Sequence, residues 1–437
     1  MENCQRVSGP SFCEDVKVQR DLRLGFLACD PAVKYRNYAV NVFNESLFAE
    51  SKENGALWVY DLRKPGSSAE KLVIQGFNGP FHPSGISIAP SVRDATSTRI
   101  VILAVNHVPF EMPRIEVLYY YHARKNLVYK KTIVSEHFYA AHKIMASSSP
   151  SVHQIDDTPS FFVTNDHGFN LTDWRREYEE KYSLPAASLV YYDARADKVQ
   201  EAVRWLQMPS GLVEFNELPG SFWIAQAKSG SLDLYTNNMT VSPEHHGQTM
   251  LSVDNGEPIT AVWPRLKNEA TLPTGMVIVG IDSDPESKNM VLVSQPKWDA
   301  YVQLARERLN QDQDQDQDRI ESKSTRTGFV ISVAESYGVR YSHSSIELPP
   351  KRSGRYSYHY LMVSHDGSEF GTPSGIAHAG VDDKKMSRVL VSGQYERGFL
   401  DCNLRRPNDM LNKPRRYWNP ERGTVEWLLR AVKRTFL

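Results

Sequence analysis

Residues 99–134 read RIVILAVNHVPFEMPRIEVLYYYHARKNLVYKKTIV. Three runs rich in Val, Ile, Leu and Tyr stand in this stretch, at 99–106, 114–121 and 127–134. Pro, Asn and charged residues separate them, and none shows a helical period. The spacing predicts consecutive antiparallel strands with short turns.

The same pattern continues in both directions. Strands are expected at 56–62, 71–76 and 85–89 before this stretch. After it they are expected at 160–164, 189–192, 199–206, 221–227, 231–235, 259–263, 276–281, 289–294, 328–334, 356–363 and 388–393. Almost no helices intervene, which argues against a parallel βαβ sheet. Roughly twenty strands do not fit one open sheet. Small antiparallel sheets repeated around an axis hold them, so the fold expected is all-β, a β-propeller. No repeat signature such as a WD dipeptide accompanies the pattern.

Two segments depart from it. Residues 173–182 (DWRREYEEKY) read as a short charged helix, and 297–310 as a second helix. The second runs into QDQDQDQD at 311–318, which adds four negative charges and has nothing to bury. A solvated insertion over about 311–327 is expected there.

The 437 residues carry 51 Lys+Arg and 52 Asp+Glu, a formal net charge of -1. With 41% hydrophobic residues this is ordinary globular composition, not that of a disordered chain, a collagen or a coiled coil. Neutrality argues against a nucleic-acid binder. It is a cancellation, however. Residues 403–437 hold nine basic and three acidic residues, +6, so the remainder carries -7. Within that tail, 424–437 (TVEWLLRAVKRTFL) places Trp427, Leu428, Ala431, Val432 and Leu437 on one helical face, flanked by Arg430, Lys433 and Arg434. Such a helix packs on the body, or serves as a peripheral membrane or oligomer contact.

No stretch approaches the roughly 20 apolar residues that span a bilayer. The N-terminal MENCQRVSGP lacks a signal-peptide core, so the chain is intracellular or its leader has been removed. The four cysteines, Cys4, Cys13, Cys29 and Cys402, are too few for a disulfide scaffold and have no zinc-ligand spacing.

No GxSxG elbow, phosphate-binding loop, dinucleotide fingerprint or HExxH is present. What remains are polar clusters at strand ends. They are Glu14-Asp15 in CEDVKV, Ser84 in FHPSGIS, His107 in AVNH, Asn165-Asp166-His167 after SFFVT, and Asp254-Asn255 in SVDNG. In a propeller, loops from every blade meet at one end of the central channel. Carboxylate and amide oxygens gathered there match calcium, which takes about six to eight hard oxygen ligands. Taken singly, each pair also reads as a turn.

In order, these clusters resemble the paraoxonase/arylesterase family over most of residues 4–402. FHPSGIS resembles its FNPHGIS, AVNH its VVNHP, FFVTNDHGF its FYATNDHYF, and SVDNG its LVDNIS. MPSGLVEF lies where the family has FANGINIS, and RVLVSGQYERGFLDC resembles its closing strand pair. The resemblance implies a single six-bladed propeller over 1–402, a C-terminal extension over 403–437, and calcium in the channel serving hydrolysis of lactones and aryl esters. It also implies a Cys4–Cys402 disulfide that closes the ring. A secretory or vesicular setting follows if that bond forms, and a cytoplasmic one otherwise.

Carried onto this sequence, Glu14, Asp254 and Asn255 fall on catalytic-calcium positions and Asp15 on a structural-calcium position. The family's Asn-Asp ligand pair falls on His153-Gln154, and a further Asn on Ser210. The first histidine of the family's dyad is Ser84; the second, His107, is present. Imidazole and hydroxyl are weaker calcium ligands than amide carbonyls.

Three functions are therefore open. In the first, an altered hydrolase uses Ser84 and His107 as nucleophile and base; the alternative for Ser84 is a small residue in a tight Pro-Ser-Gly turn. In the second, the channel performs non-hydrolytic chemistry on a lipophilic small molecule. Related fungal propellers suggest dehydration to a quinone methide and hetero-Diels–Alder cyclisation, with His107, His153, Asp166 and His378 as proton-transfer candidates. In the third, the propeller only binds. The expectation favours the second, with the calcium-dependent lactonase or arylesterase as its alternative, and no nucleotide cofactor.

Overall fold

Arg99–Asn106 lies inside a five-stranded sheet, second from its inner edge. It pairs antiparallel with Pro83–Pro90 on one side and Arg114–Tyr121 on the other, with Ile102 opposite Ile88 and Leu118. Asn126–Ile133 follows, and the two-residue strand Ile74–Gln75 adds a parallel edge. Side chains alternate across the sheet. Ile100, Ile102, Ala104, Leu118 and Tyr120 pack on one face with Phe26 and Leu57. Val101, Leu103, Val105, Val117 and Tyr119 pack on the other with Phe161 and Val163. Both faces are buried, which is why the strand reads as an unbroken apolar run.

The computed structural model describes residues 4–36, 45–51, 53–91, 99–147, 156–170, 172–214, 221–229, 231–236, 265–271, 277–283, 290–295, 303, 330–334, 340–342, 345–347, 358–362, 373–381 and 387–404. Within them the sheet just described is blade 2. Blade 1 comprises Cys13–Gln19, Leu24–Cys29, Ala56–Asp61 and Glu70–Lys71. Blade 3 comprises Ala141–Ala146, Phe161–Asn165, Ala187–Asp193 and Lys198–Leu206. Blade 4 comprises Pro209–Glu214, Ser221–Gln226, Ser231–Thr236 and Arg265–Thr271. Blade 5 comprises Val277–Ser283, Met290–Gln295, Val330–Ala334 and Tyr358–Met362. Blade 6 comprises Pro373–Val381, Ser387–Gly393 and Arg397–Leu404, with Cys4–Ser11 as its outermost strand.

Five of these sheets are four-stranded; blade 2, widened by its parallel edge, is the sixth. The first strand of each blade touches that of the next: blade 1 meets 2, 2 meets 3, 3 meets 4, 4 meets 5, 5 meets 6, and 6 returns to 1. The ring is closed, and its innermost strands surround a central channel. The fold is the expected β-propeller.

The closure joins the two ends of the chain. Cys4 lies opposite Cys402 and Val7 opposite Phe399 in blade 6. The Cys4–Cys402 disulfide locks this pairing. A second disulfide, Cys13–Cys29, corrects the expectation that four cysteines would not act as a framework: all four are paired. Cys13 and Cys29 face each other across adjacent antiparallel strands of blade 1, which brings them into bonding reach.

The expected helix at 173–182 is present as Arg175–Tyr182. The expected strand at 71–76 is instead two fragments, Glu70–Lys71 and Ile74–Gln75, which pair with different blades. The strand at 259–263, the insertion at 311–327, the extension 405–437 with its 424–437 helix, and nearly all of 297–310 lie outside the described residues. No described helix is long and apolar enough to cross a membrane.

Each innermost strand carries one register shift near its start. The shifts fall between Cys13 and Asp15, Pro83 and Ile86, Ala141 and Ile144, Pro209 and Gly211, Ile278 and Gly280, and Pro373 and Gly375. A bulge re-aims the side chain it displaces. The six bulges thus form one ring at one end of the channel: Glu14, Ser84, His142, Ser210, Val279 and Ser374.

Candidate active site at the channel mouth

The ring has a repeat in sequence as well as in structure. Pro-Ser-Gly opens the innermost strands of blades 2, 4 and 6, at 83–85, 209–211 and 373–375. In blades 1 and 3 the same positions read Cys-Glu-Asp and Ala-His-Lys. A repeat of three residues spaced over a hundred positions apart is the signal by which sequence reading could have located the ring.

The three serines do equivalent work. Ser374 Oγ donates to Cys13 O at 2.9 Å, and Ser210 Oγ to Ile278 O at 2.6 Å. Ser84 Oγ donates to His142 O at 3.3 Å. Each ties its blade to the next. All three are buried, Ser84 completely. Ser84 alone also meets a histidine: His107 Nε2 lies 2.9 Å from its oxygen. Which of the two donates depends on the tautomer of His107. The contact orients His107, and Ser84 Oγ also reaches the His142 carbonyl from its Pro-Ser-Gly turn.

The titratable side chains of the ring come from blades 1 and 3. His142 Nε2 sits 2.7 Å from Glu14 Oε1, reaching past blade 2. Glu14 is 4% exposed and His142 21%. His142 Nδ1 has no hydrogen-bond partner among the described residues. A buried carboxylate that holds one imidazole nitrogen fixes the ring's orientation. Sequence reading missed His142, because AHKI was not read as a strand start.

One residue deeper, the layer consists of Asp15, Gly85, Lys143, Gly211, Gly280 and Gly375. Lys143 Nζ donates to Glu14 O at 2.8 Å and to Ser374 O at 3.2 Å. It lies 3.6 Å from Asp15 Oδ1. Asp15 in turn accepts Val16 N on Oδ1 and Ile86 N on Oδ2, both at 3.0 Å. The glycines let the blades close in: a Cβ on Gly85 would lie 2.2 Å from His142 O. A void of about 10 Å³ lies among these residues.

Asp166 and His167 flank the mouth after the second strand of blade 3. Asp166 N donates to Ala140 O. His167 Nδ1 lies 2.9 Å from Asp166 Oδ1, and its Nε2 lies 3.0 Å from Glu180 Oε1 on the Arg175–Tyr182 helix. Desolvation opposes the Asp166 charge, but His167, Arg176 and His142 outweigh it and hold the carboxyl well below the usual carboxylate range. For His167, desolvation and Arg176 press the pKa down, and Asp166 and Glu180 outweigh them and raise it. Asp166 therefore stands as a carboxylate paired with an imidazolium.

The structure separates other candidates. His378 is in the innermost strand of blade 6, four residues beyond Ser374, roughly 13 Å along the channel at strand rise. Its N–H donates to Asp282 Oδ2 at 2.7 Å, and Arg20 binds its carbonyl, so it belongs to the seam between blades 5, 6 and 1. His82, two residues before Ser84, is buried. Its Nδ1 lies 3.0 Å from Asp30 Oδ1, and Phe48 packs edge-on against it. His153, Asp254 and Asn255 lie outside the described residues. The blade 3 positions equivalent to Glu14-Asp15 are His142-Lys143.

The expected calcium ligands that are described do not compose a calcium shell. Glu14 Oε1 is held by an imidazole, both Asp15 oxygens accept backbone N–H groups, and the Ser210 hydroxyl is spent on Ile278 O. Among the described residues, no group of three or more His, Cys, Asp or Glu is gathered to hold a metal.

Six sheets in a closed ring, with polar side chains at one mouth, define a β-propeller. Residues 45–245, just under half of the chain, match the family model described as Arylesterase. The family resemblance read from the sequence is thereby shown, over a span reaching from the helix Glu45–Glu50 into blade 4. No curated protein matches the chain by sequence. Similar solved structures include a luciferin-regenerating enzyme, at 8% identity and TM-score 0.45, covering 92% of this chain and 94% of that one. A putative oxidoreductase (glucose dehydrogenase) from Thermus thermophilus is 11% identical, TM-score 0.44, covering 92% and 99%. The β-propeller domain of Cps50 (Swd1) from Myceliophthora thermophila is 9% identical, TM-score 0.42, covering 92% and 99%. At such scores these likenesses carry no argument about activity.

Proposed function

We propose that this chain is an enzyme that transfers protons on a lipophilic small molecule held at the channel mouth, in dehydration and cyclisation rather than ester hydrolysis. The observation that carries the reading is the Glu14–His142 pair at 2.7 Å, partly open to the mouth and linked to His107 through Ser84. A carboxylate-backed imidazole is a general acid–base device and works near neutral pH. In such a reaction it takes the phenolic proton of an o-hydroxybenzyl alcohol while a second group protonates the departing hydroxyl. Water leaves and an o-quinone methide remains. Its cycloaddition with an alkene then forms two bonds with no net proton change. His107 is the candidate for the second group. The two disulfides fit a secretory or vesicular setting for such a protein.

The test is turnover of an o-hydroxybenzyl alcohol with an electron-rich alkene, followed by mass spectrometry. Cycloadduct formation lost in His142→Ala supports the reading. Equal turnover by wild type and His142→Ala overturns it.

The second reading is a calcium-dependent lactonase or arylesterase, the activity that the family resemblance implies. It requires Glu14 to leave His142 for a metal. Aryl-ester or lactone hydrolysis abolished by a chelator decides for it.

A further inference from the structure

Lys143 is 5% exposed, yet it projects into the centre of the channel floor. A buried ammonium must have its donors satisfied and its charge balanced. Lys143 achieves both. Its Nζ reaches two backbone carbonyls, Glu14 O of blade 1 and Ser374 O of blade 6, and faces the Asp15 carboxylate. Asp15 extends the tie to blade 2 through Ile86 N. One side chain of blade 3 thus engages blades 1 and 6, and through Asp15 the fourth member of the contact is blade 2.

The rest of this layer is glycine, at 85, 211, 280 and 375. Those positions supply no side-chain oxygen. A Cβ on Gly375 would sit 3.1 Å from Asp15 Oδ1, and one on Gly211 would sit 2.4 Å from Ile281 Cγ2. The layer offers one carboxylate and two inward carbonyls. A divalent cation of calcium size takes about six to eight oxygens. A single ammonium, by contrast, is satisfied by three acceptors and neutralises one carboxylate.

We propose that the Lys143 ammonium is the permanent cation of the channel, standing at the point where the family resemblance implies a structural calcium, so that this propeller closes without a divalent metal. The inference concerns the channel floor and does not depend on which substrate the mouth takes.

The purified full-length protein tests it through metal content and stability, neither of which reports on turnover. Elemental analysis is expected to find no stoichiometric calcium after gel filtration in calcium-containing buffer. The thermal midpoint is expected to be the same in excess calcium and in excess EGTA, whereas removal of a resident ion would move it by several degrees. Stoichiometric calcium, or a midpoint that falls in EGTA, overturns the proposal. A double-mutant cycle supplies the second measurement. Lys143→Met and Asp15→Asn each lower the midpoint, and the double variant falls by less than their sum, because neither charge is then left alone. Strict additivity would overturn the pairing. Should Lys143→Met fail to fold, the wild-type metal analysis decides alone.

Discussion

Glu14 and His142 meet across the channel mouth from blades 1 and 3, carboxylate oxygen to imidazole nitrogen at 2.7 Å, with Ser84 of the intervening blade hydrogen-bonded to the His142 carbonyl. The histidine is thereby oriented from two directions. His142→Ala is expected to lower the conversion rate by about 10²–10⁴-fold, the range for loss of a general acid–base group. Glu14→Gln keeps the shape and removes the charge. It should cut the rate less than His142→Ala does, because the amide oxygen still holds the imidazole by a hydrogen bond. Unchanged rates in both variants would count against the pair.

Ser84 tests the nucleophile reading directly. Ser84→Ala loses a tie to the next blade, worth about 0.5–1.5 kcal/mol. It should retain turnover within roughly tenfold, the remainder reflecting a less well held His107. A fluorophosphonate should leave the wild-type serine unlabelled. Labelling at Ser84 would restore the nucleophile.

Gly85 links packing to the site. An added methyl group meets backbone, the His142 carbonyl, not a side chain that can swing aside. Gly85→Ala is expected to cost about 1–3 kcal/mol through overpacking. Because the displaced group belongs to His142, turnover should fall further than the same stability loss elsewhere would cause. Gly211→Ala, packed against Ile281, is the control for stability alone.

The Asp166–His167 pair predicts a pH window. The His167 pKa is raised, so its stabilisation is full below the ordinary histidine value of about 6.5 and is lost as pH rises through the raised one. The Asp166 pKa is lowered, so its stabilisation is present above the ordinary aspartate value of about 3.9 and is lost on acidification through the lowered one. His167→Gln should therefore cost most, up to about 3 kcal/mol, between roughly pH 4 and 6.5. Melting curves across pH check this: the gap to wild type should narrow on alkalinisation. A gap independent of pH would mean that His167 is held uncharged.

The two disulfides should differ in weight. Cys4–Cys402 closes a loop with a sequence separation of 398 residues, against 16 for Cys13–Cys29. In the chain-entropy model these are worth about 5–6 and about 3 kcal/mol. Replacing both Cys4 and Cys402 by Ser should lower the unfolding midpoint in denaturant more than replacing both Cys13 and Cys29. The reverse order would show that chain entropy is not what the longer bond supplies.

How far the sequence disclosed this depends on where a residue sits in its blade. Arg99–Asn106 and Arg114–Tyr121 are legible to the residue, because both faces are buried and every position is apolar or aromatic save a few at the ends and Glu116. The innermost strands are a different matter. Cys13–Gln19, Ala141–Ala146, Pro209–Glu214 and Pro373–Val381 are not expected as strands on their own propensity. Their opening residues include Pro, Gly and charged side chains, which strand propensity penalises. Those residues are present because they line the channel or let the blades approach. The signals that make the site useful are thus the ones that hide its strands, and His142 is hidden with its strand. Glu14 and Asp15 are found through the family resemblance, and the Ser84–His107 contact through two motifs that lie 23 residues apart. Lys143 has no signal of its own, since a lysine followed by isoleucine reads as surface until the register places it on the axis.

The N-terminal strand of blade 6 has a temporal consequence. Cys4–Ser11 leads within three residues to Glu14, but its pairing partner Arg397–Leu404 is among the last strands described along the chain. At a synthesis rate of about 5–20 residues per second, roughly 20–80 s pass on the ribosome between the two. Throughout that interval the first acid–base residue exists without the strand that seats it. The mouth matures only after Arg397–Leu404 has been made, so translation products that stop short of it carry Glu14 and His142 without a closed ring.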